Sequence, residues 1–263
     1  MKWKNVNIGI SIVIICFLCF AGGLVKCASA MEVKIEPSTL LLGTFYRGAD
    51  IKISGTVPVG SDVVVRFIGN KKDLHLKKKG KVLGLLWMNL DTFTFKGVPN
   101  VCLIYSSKKL VSDDKQCDVE SDAWKLSLLA LESHISIEPE PEDRTFLVEE
   151  LVKMKKLEGL YVEQEHAVGI TERGEGAEKF EAHVKVPSSL TPGKYMVEVY
   201  ALQDGKIIDS KITPINAKLV GLPAFLYNLA FEHALLYGLL ATIVAILGGL
   251  LMGVIFGAGK GAH

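Results

Sequence analysis

Between Ala234 and Gly259 the chain carries no charged side chain, and that run constrains the fold more than any other feature of its 263 residues. About 20 apolar residues suffice to cross the hydrocarbon core of a bilayer. The run therefore predicts one transmembrane helix over 234–258, preceded by a juxtamembrane segment, 222–233, and followed by a tail, 259–263. Lys260 is the lone cation beyond the span, the sign expected of a cytoplasmic tail. At the other end, Lys2 and Lys4 precede an apolar run from Ile8 to Leu24, and Ala28-Ser29-Ala30 offers the small residues that a signal peptidase reads. Residues 1–30 are read as a cleaved signal peptide, an uncleaved signal anchor being the alternative. Lys26 before Cys27 does not fit a lipoprotein box. These ends together predict a single-pass membrane protein with residues 31–221 outside the cytoplasm.

Composition narrows the function of that outer part. Without residues 1–30 the chain has 27 basic and 29 acidic residues, a net −2, which argues against a nucleic-acid partner. Charge is unevenly spread: residues 31–111 hold 13 basic and 6 acidic side chains, whereas 112–180 hold 8 and 18. The two halves attract one another or offer faces to a partner. Two cysteines remain beyond the signal, Cys102 and Cys117, a disulfide candidate in an oxidising compartment, with two free thiols as the alternative.

Short apolar runs separated by turn signals predict strands. Ile51 and Ile53 alternate with polar residues, Val63-Val64-Val65 leads to Phe67, Phe93 and Phe95 sit two apart, and Val101 to Tyr105 follows. Expected turns are Arg47–Asp50, Pro58–Asp62, Gly69-Asn70 and Gly97–Asn100. One helix is expected from Ala123 to Ser133 and another from Thr145 to a C-terminal Gly159, with Glu149 and Lys153 at a favourable spacing. Strands return with Phe180, Ala182, Val184 and Val186, then Tyr195, Val197 and Val199, then a hairpin turn at Asp204-Gly205. The fold class is mainly β: an immunoglobulin-like antiparallel β-sandwich with a two-helix insertion over about 123–159, plus the C-terminal transmembrane helix.

The stretches Leu83–Asn89, Phe95–Pro99 and Tyr105-Ser106-Ser107 occur in an order that resembles the bacterial transmembrane-protein family Alph_Pro_TM. The resemblance resumes at Gly159-Leu160-Tyr161, at Phe180 with Val186-Pro187, at Gly193-Lys194-Tyr195 and at Asp204-Gly205, and ends with Tyr237-Gly238 entering the span. It implies a periplasmic β domain on a C-terminal anchor. Such proteins resemble accessory factors whose genes accompany sulfite exporters of the TauE/SafE type, which makes a membrane transporter the implied partner. The resemblance carries over no catalytic residues, and the Cys102/Cys117 pair is not part of its pattern.

No catalytic residue, cofactor or metal site is assigned from the residues themselves. No Gly-x-Ser-x-Gly stretch occurs, and no histidine has a ligand-type partner in a recognisable motif. Glu163, Glu165 and His166 form the densest cluster and read as a solvated strand or loop. Lys71, Lys72, Lys77, Lys78, Lys79 and Lys81 form a basic patch, read as a solvated hairpin tip or as a contact for an anionic surface. Trp87, Met88 and Asn89 read as strand core, with a recognition groove lined by Trp87 and Asn89 as the alternative. Gly249, Gly253 and Gly257 recur every four residues, so they share one helix face on which a second helix can approach closely. The partners expected are the lipid bilayer and either an integral-membrane protein or a second copy of the chain. Function is expected to be that of a non-enzymatic, membrane-anchored accessory protein of a transporter, such as a sulfite or other anion exporter. The alternative is a stand-alone periplasmic binding or chaperone-like module for an envelope protein or small anion.

Overall fold

A computed structural model describes residues 31–82, 85–111, 121–173 and 177–257. Residues 1–30, expected to be a signal peptide, Cys117 and the tail from 259 lie outside these residues. Two sheets form the sandwich. The first has four strands in the order β1 (Glu32–Glu36), β3 (Ala49–Pro58), β11 (Ala177–Val186) and β10 (Val168–Arg173). The second has six: β2 (Thr39–Leu42), β13 (Lys206–Leu219), β12 (Gly193–Gln203), β4 (Asp62–Gly69), β7 (Cys102–Ser106) and β9 (Tyr161–Gln164). Most neighbours are antiparallel, but β2 joins β13 and β7 joins β9 in parallel.

Period-two alternation accounts for the packing between the sheets. Phe180, Ala182, Val184 and Val186 of β11 are buried, as are Tyr195, Val197, Val199 and Ala201 of β12, while the intervening residues are largely polar and less buried. The phenol of Tyr105 accepts a hydrogen bond from the Lys185 backbone N–H at 3.2 Å, tying β7 to β11 across the core. On β4, Val63, Val65 and Phe67 fill one face, yet Val64 is buried as well. Its neighbours on that second face, Ile104 and Cys102 of β7, are also buried, because the helical insertion adds Leu128, Leu151 and Val152 to the same core. Both faces of these central strands are covered, so they read as continuous apolar runs.

The expected helix over 123–133 is in fact two: α1 (Asp122–Lys125) and α2 (Leu128–His134). Each has its own serine cap. Ser121 Oγ accepts from the Trp124 N–H at 3.2 Å and Ser127 Oγ from the Ala130 N–H at 3.3 Å, so the second cap restarts the helix. The long helix α3 (Arg144–Leu157) is capped by Asp143 and stopped by Gly159 at φ 70°. Lys153 pairs with Glu150 at 3.2 Å rather than with the expected Glu149. The hairpin turn at Asp204-Gly205 holds two consecutive positive φ angles, 51° and 76°, as a two-residue turn between twisted strands requires. Past β13 come α4 (Leu222–Glu232) and α5 (Ala234–Gly257), the latter long and apolar enough to cross a membrane.

Two expected turns are not reversals. The chain passes from β4 through Asn70 into β5 (Lys71–Val82) and returns along β6 (Leu86–Pro99) into β7. Ile68 faces Cys102 and Lys71 faces Pro99, with Asn100 N–H donating to the Asn70 carbonyl at 3.2 Å between them. β4–β5 and β6–β7 are thus one two-stranded ribbon whose inner half belongs to the sandwich. Its outer half is an arm, paired on one side only, over Thr94–Lys96, with β8 (Ser136–Glu138).

Candidate functional site

The arm brings together two groups that sequence reading kept apart, the lysine patch and the Trp87 segment. The lysines do not crowd a hairpin tip: Lys71 to Lys81 are spread along the whole of β5. Nor is the Trp87 segment core. Trp87 is 67% exposed, and Leu85, Leu86, Met88, Asn89 and Leu90 are exposed beside it. Their apolar run resembles a buried strand, but no second sheet or helix lies over this end of the ribbon among the described residues.

Register sorts the side chains into two faces. Lys77, Lys79 and Lys81 lie opposite Thr92, Asn89 and Trp87, forming one face with His75 and Thr94, which are hydrogen-bonded at 2.9 Å. On that face Lys81 Nζ sits 5.3 Å from the Trp87 ring centroid, within reach of a cation–π contact. The other face carries Val82 and Leu86, then Gly80 and Met88, then the charged pair Lys78 and Asp91, and leads inward to Leu76 with Phe93 and Leu74 with Phe95. A shift of register beside Lys78/Lys79 leaves Leu90 as the extra residue, and its side chain folds over Gly80. Phe93 and Phe95 are buried, so the inner part of this face belongs to the sandwich core, and Lys78 with Asp91 separates it from the exposed apolar residues at the tip.

The root of the arm is firmly held. Tyr161 Oη donates to the Pro99 carbonyl at 2.8 Å, and Asn100 Nδ2 donates to Tyr195 Oη at 3.2 Å. Tyr195 in turn donates to the Thr191 carbonyl at 2.7 Å and stacks on Phe67, with ring centroids 5.1 Å apart.

The span is the second feature. A Cβ added at Gly249 or Gly253 would meet nothing within 4 Å. Helical spacing extends the small-residue face beyond the three glycines, through Ala245 and Thr242 to Gly238. Thr242 Oγ1 donates back to the Gly238 carbonyl at 2.9 Å, which satisfies its hydroxyl within the helix. Between span and sandwich, α4 has no buried residue and no charged one before Glu232. A family model described as "Putative transmembrane protein (Alph_Pro_TM)" matches residues 30–258, from the start of the sandwich through the span. The chain belongs to this family. It is accordingly a membrane protein, anchored by α5. No curated protein matches the chain.

The remaining candidates lie apart from the arm. Cys102 is fully buried with a free thiol, and burial pushes its pKa up to about 11 against the opposing pull of Arg66. It is therefore protonated and unreactive at neutral pH. Its proposed partner, Cys117, lies outside the described residues. Glu163 is not part of a solvated cluster: its carboxylate accepts from the Leu128 N–H at 3.2 Å at the start of α2, and burial raises its pKa. Among the described residues no group of three His, Cys, Asp or Glu side chains is arranged to hold a metal.

Proposed function

We propose that the chain is a non-enzymatic accessory protein of a multi-span membrane transporter, with its sandwich on the periplasmic side of the inner membrane. The observation that supports this reading is the open small-residue face of α5, where a Cβ added at Gly249 or Gly253 would meet nothing within 4 Å. In lipid no hydrophobic force drives helices together, so close backbone approach at small residues is a principal means of association. The resemblance to factors that accompany sulfite exporters makes an anion exporter the candidate partner.

A pull-down of the tagged full-length protein in mild detergent tests the reading, with a Gly253→Leu variant beside it. A multi-span protein retained by wild type and lost from the variant is the expected result. Recovery of the chain alone in both samples would remove the transporter and favour a stand-alone binding module.

A further inference from the structure

We propose that the β5–β6 arm is a second membrane contact, entering the headgroup layer of an anionic bilayer tip-first beside the span. Three observations lead there, and the first is topological. Leu219, three residues before α4, pairs with Leu42 of β2, while β12 carries Gly193 opposite Ala217 and Tyr195 opposite Gly69. The strand that leads to the membrane and the strand that leads into the arm therefore leave the same end of the six-stranded sheet. The loop after Leu42 is at this end too, and it displays Phe45 at 89% exposure.

The second observation is the order of side chains along the arm. Val82, Leu85 and Leu86 stand at its outer end. Trp87 with Lys81 comes next, then Lys79, Lys78 and Lys77. An apolar tip, a tryptophan behind it and lysines behind that match the sequence of environments met on entering a bilayer: acyl chain, interface, headgroup phosphate. From Lys71 the 12 residues of β5 reach at most about 40 Å at roughly 3.3 Å each, long enough to bridge from the sandwich to a surface.

Third, the surface that would lie alongside is itself made for lipid. In α4, Leu222, Phe225, Leu226, Tyr227 and Phe231 are all exposed, and this helix runs directly into the span. Continuity with the membrane anchor and the basic charge of the arm favour lipid over a protein as the occupant. Docking at both points would fix the tilt of the sandwich, which one span reached through a short connection leaves free.

The test uses the full-length protein in lipid nanodiscs and reads tryptophan fluorescence, with Trp87→Phe identifying the Trp87 component by difference. In discs rich in phosphatidylglycerol with brominated acyl chains, that component should be blue-shifted and quenched. Replacing Lys77, Lys79 and Lys81 with Gln should lower the docking equilibrium constant roughly fivefold per lysine, and phosphatidylcholine discs should reproduce that loss with the wild type. All three lysines are on an exposed face, and Trp124 emission checks that the variant keeps its fold. A Trp87 component that stays water-like in every disc would overturn the proposal, as would equal quenching in both lipids. So would shielding seen only after a membrane extract is added, which would assign the arm to a protein. The comparison of the two lipids contains no partner protein, so its result is independent of the transporter reading.

Discussion

A methyl group placed on Gly55 would stand 1.9 Å from the Glu32 carbonyl oxygen and 2.8 Å from Phe180 Cε1, against backbone and a fully buried ring. On Gly80 it would meet only the side chain of Leu90, which is free to swing into solvent. Gly55→Ala should therefore cost about 3 kcal/mol, whereas Gly80→Ala should change stability by no more than about 0.5 kcal/mol; thermal unfolding in detergent compares them. Glu163 makes a pH-dependent case. Burial raises its carboxyl pKa, with the Leu128 N–H and Lys156 opposing, so the fold favours the neutral acid. Its contribution is complete below the carboxyl's unfolded pKa and is lost as pH rises through the higher folded one. Glu163→Gln, neutral throughout, should unfold with wild type at acidic pH and above it at pH 7; a wild type more stable at neutral pH would show that the α2 cap needs a charged acceptor.

The arm and the sandwich obey the same local rules, which is why sequence reading separated them poorly. Alternation in β11 and β12 revealed which residues face the core, and Asp204-Gly205 revealed its turn. Leu86-Trp87-Met88 is as apolar as any core strand, but periodicity reports the character of a strand and not whether another layer covers it. Gly69-Asn70 and Gly97–Asn100 carried turn residues, yet there the ribbon bends without reversing, and Gly97 takes its φ of 70° beside a register shift. A lysine-rich strand facing an apolar one was the available signal that this hairpin serves something outside the sandwich. Because the outer arm lies beyond the core, joining Leu76 to Phe93 by an Asn-Gly turn should shift the melting temperature by no more than about 4 °C. Tyr161→Phe, in contrast, strands the Pro99 carbonyl at the root and should cost about 1–3 kcal/mol by the same measurement.

Across the whole molecule the second sheet is closed by strands from opposite ends of the chain. β13 lies between β2 and β12, and its 14 residues carry the buried Ile215 and Ala217 into the core. A chain stopped after Gln203 would leave β12 with a bare edge and β2 without its ladder partner among the described residues. Such a truncation should be digested by protease under conditions in which the full-length protein resists. The span could be located from charge and length alone, but not the fact that arm and anchor leave the sheet together. That depends on which strands are neighbours, which no single stretch of sequence records.

Closure by β13 also sets an order of events as the chain is made. The β5–β6 ladder is local and is available once Pro99 has emerged, before β8 and Tyr161 arrive to hold its root. The sandwich must wait for Leu219, and α5 follows almost at once. A growing chain thus displays its basic, tryptophan-bearing finger long before it has a finished body, and the last strand is inserted just as the anchor is made.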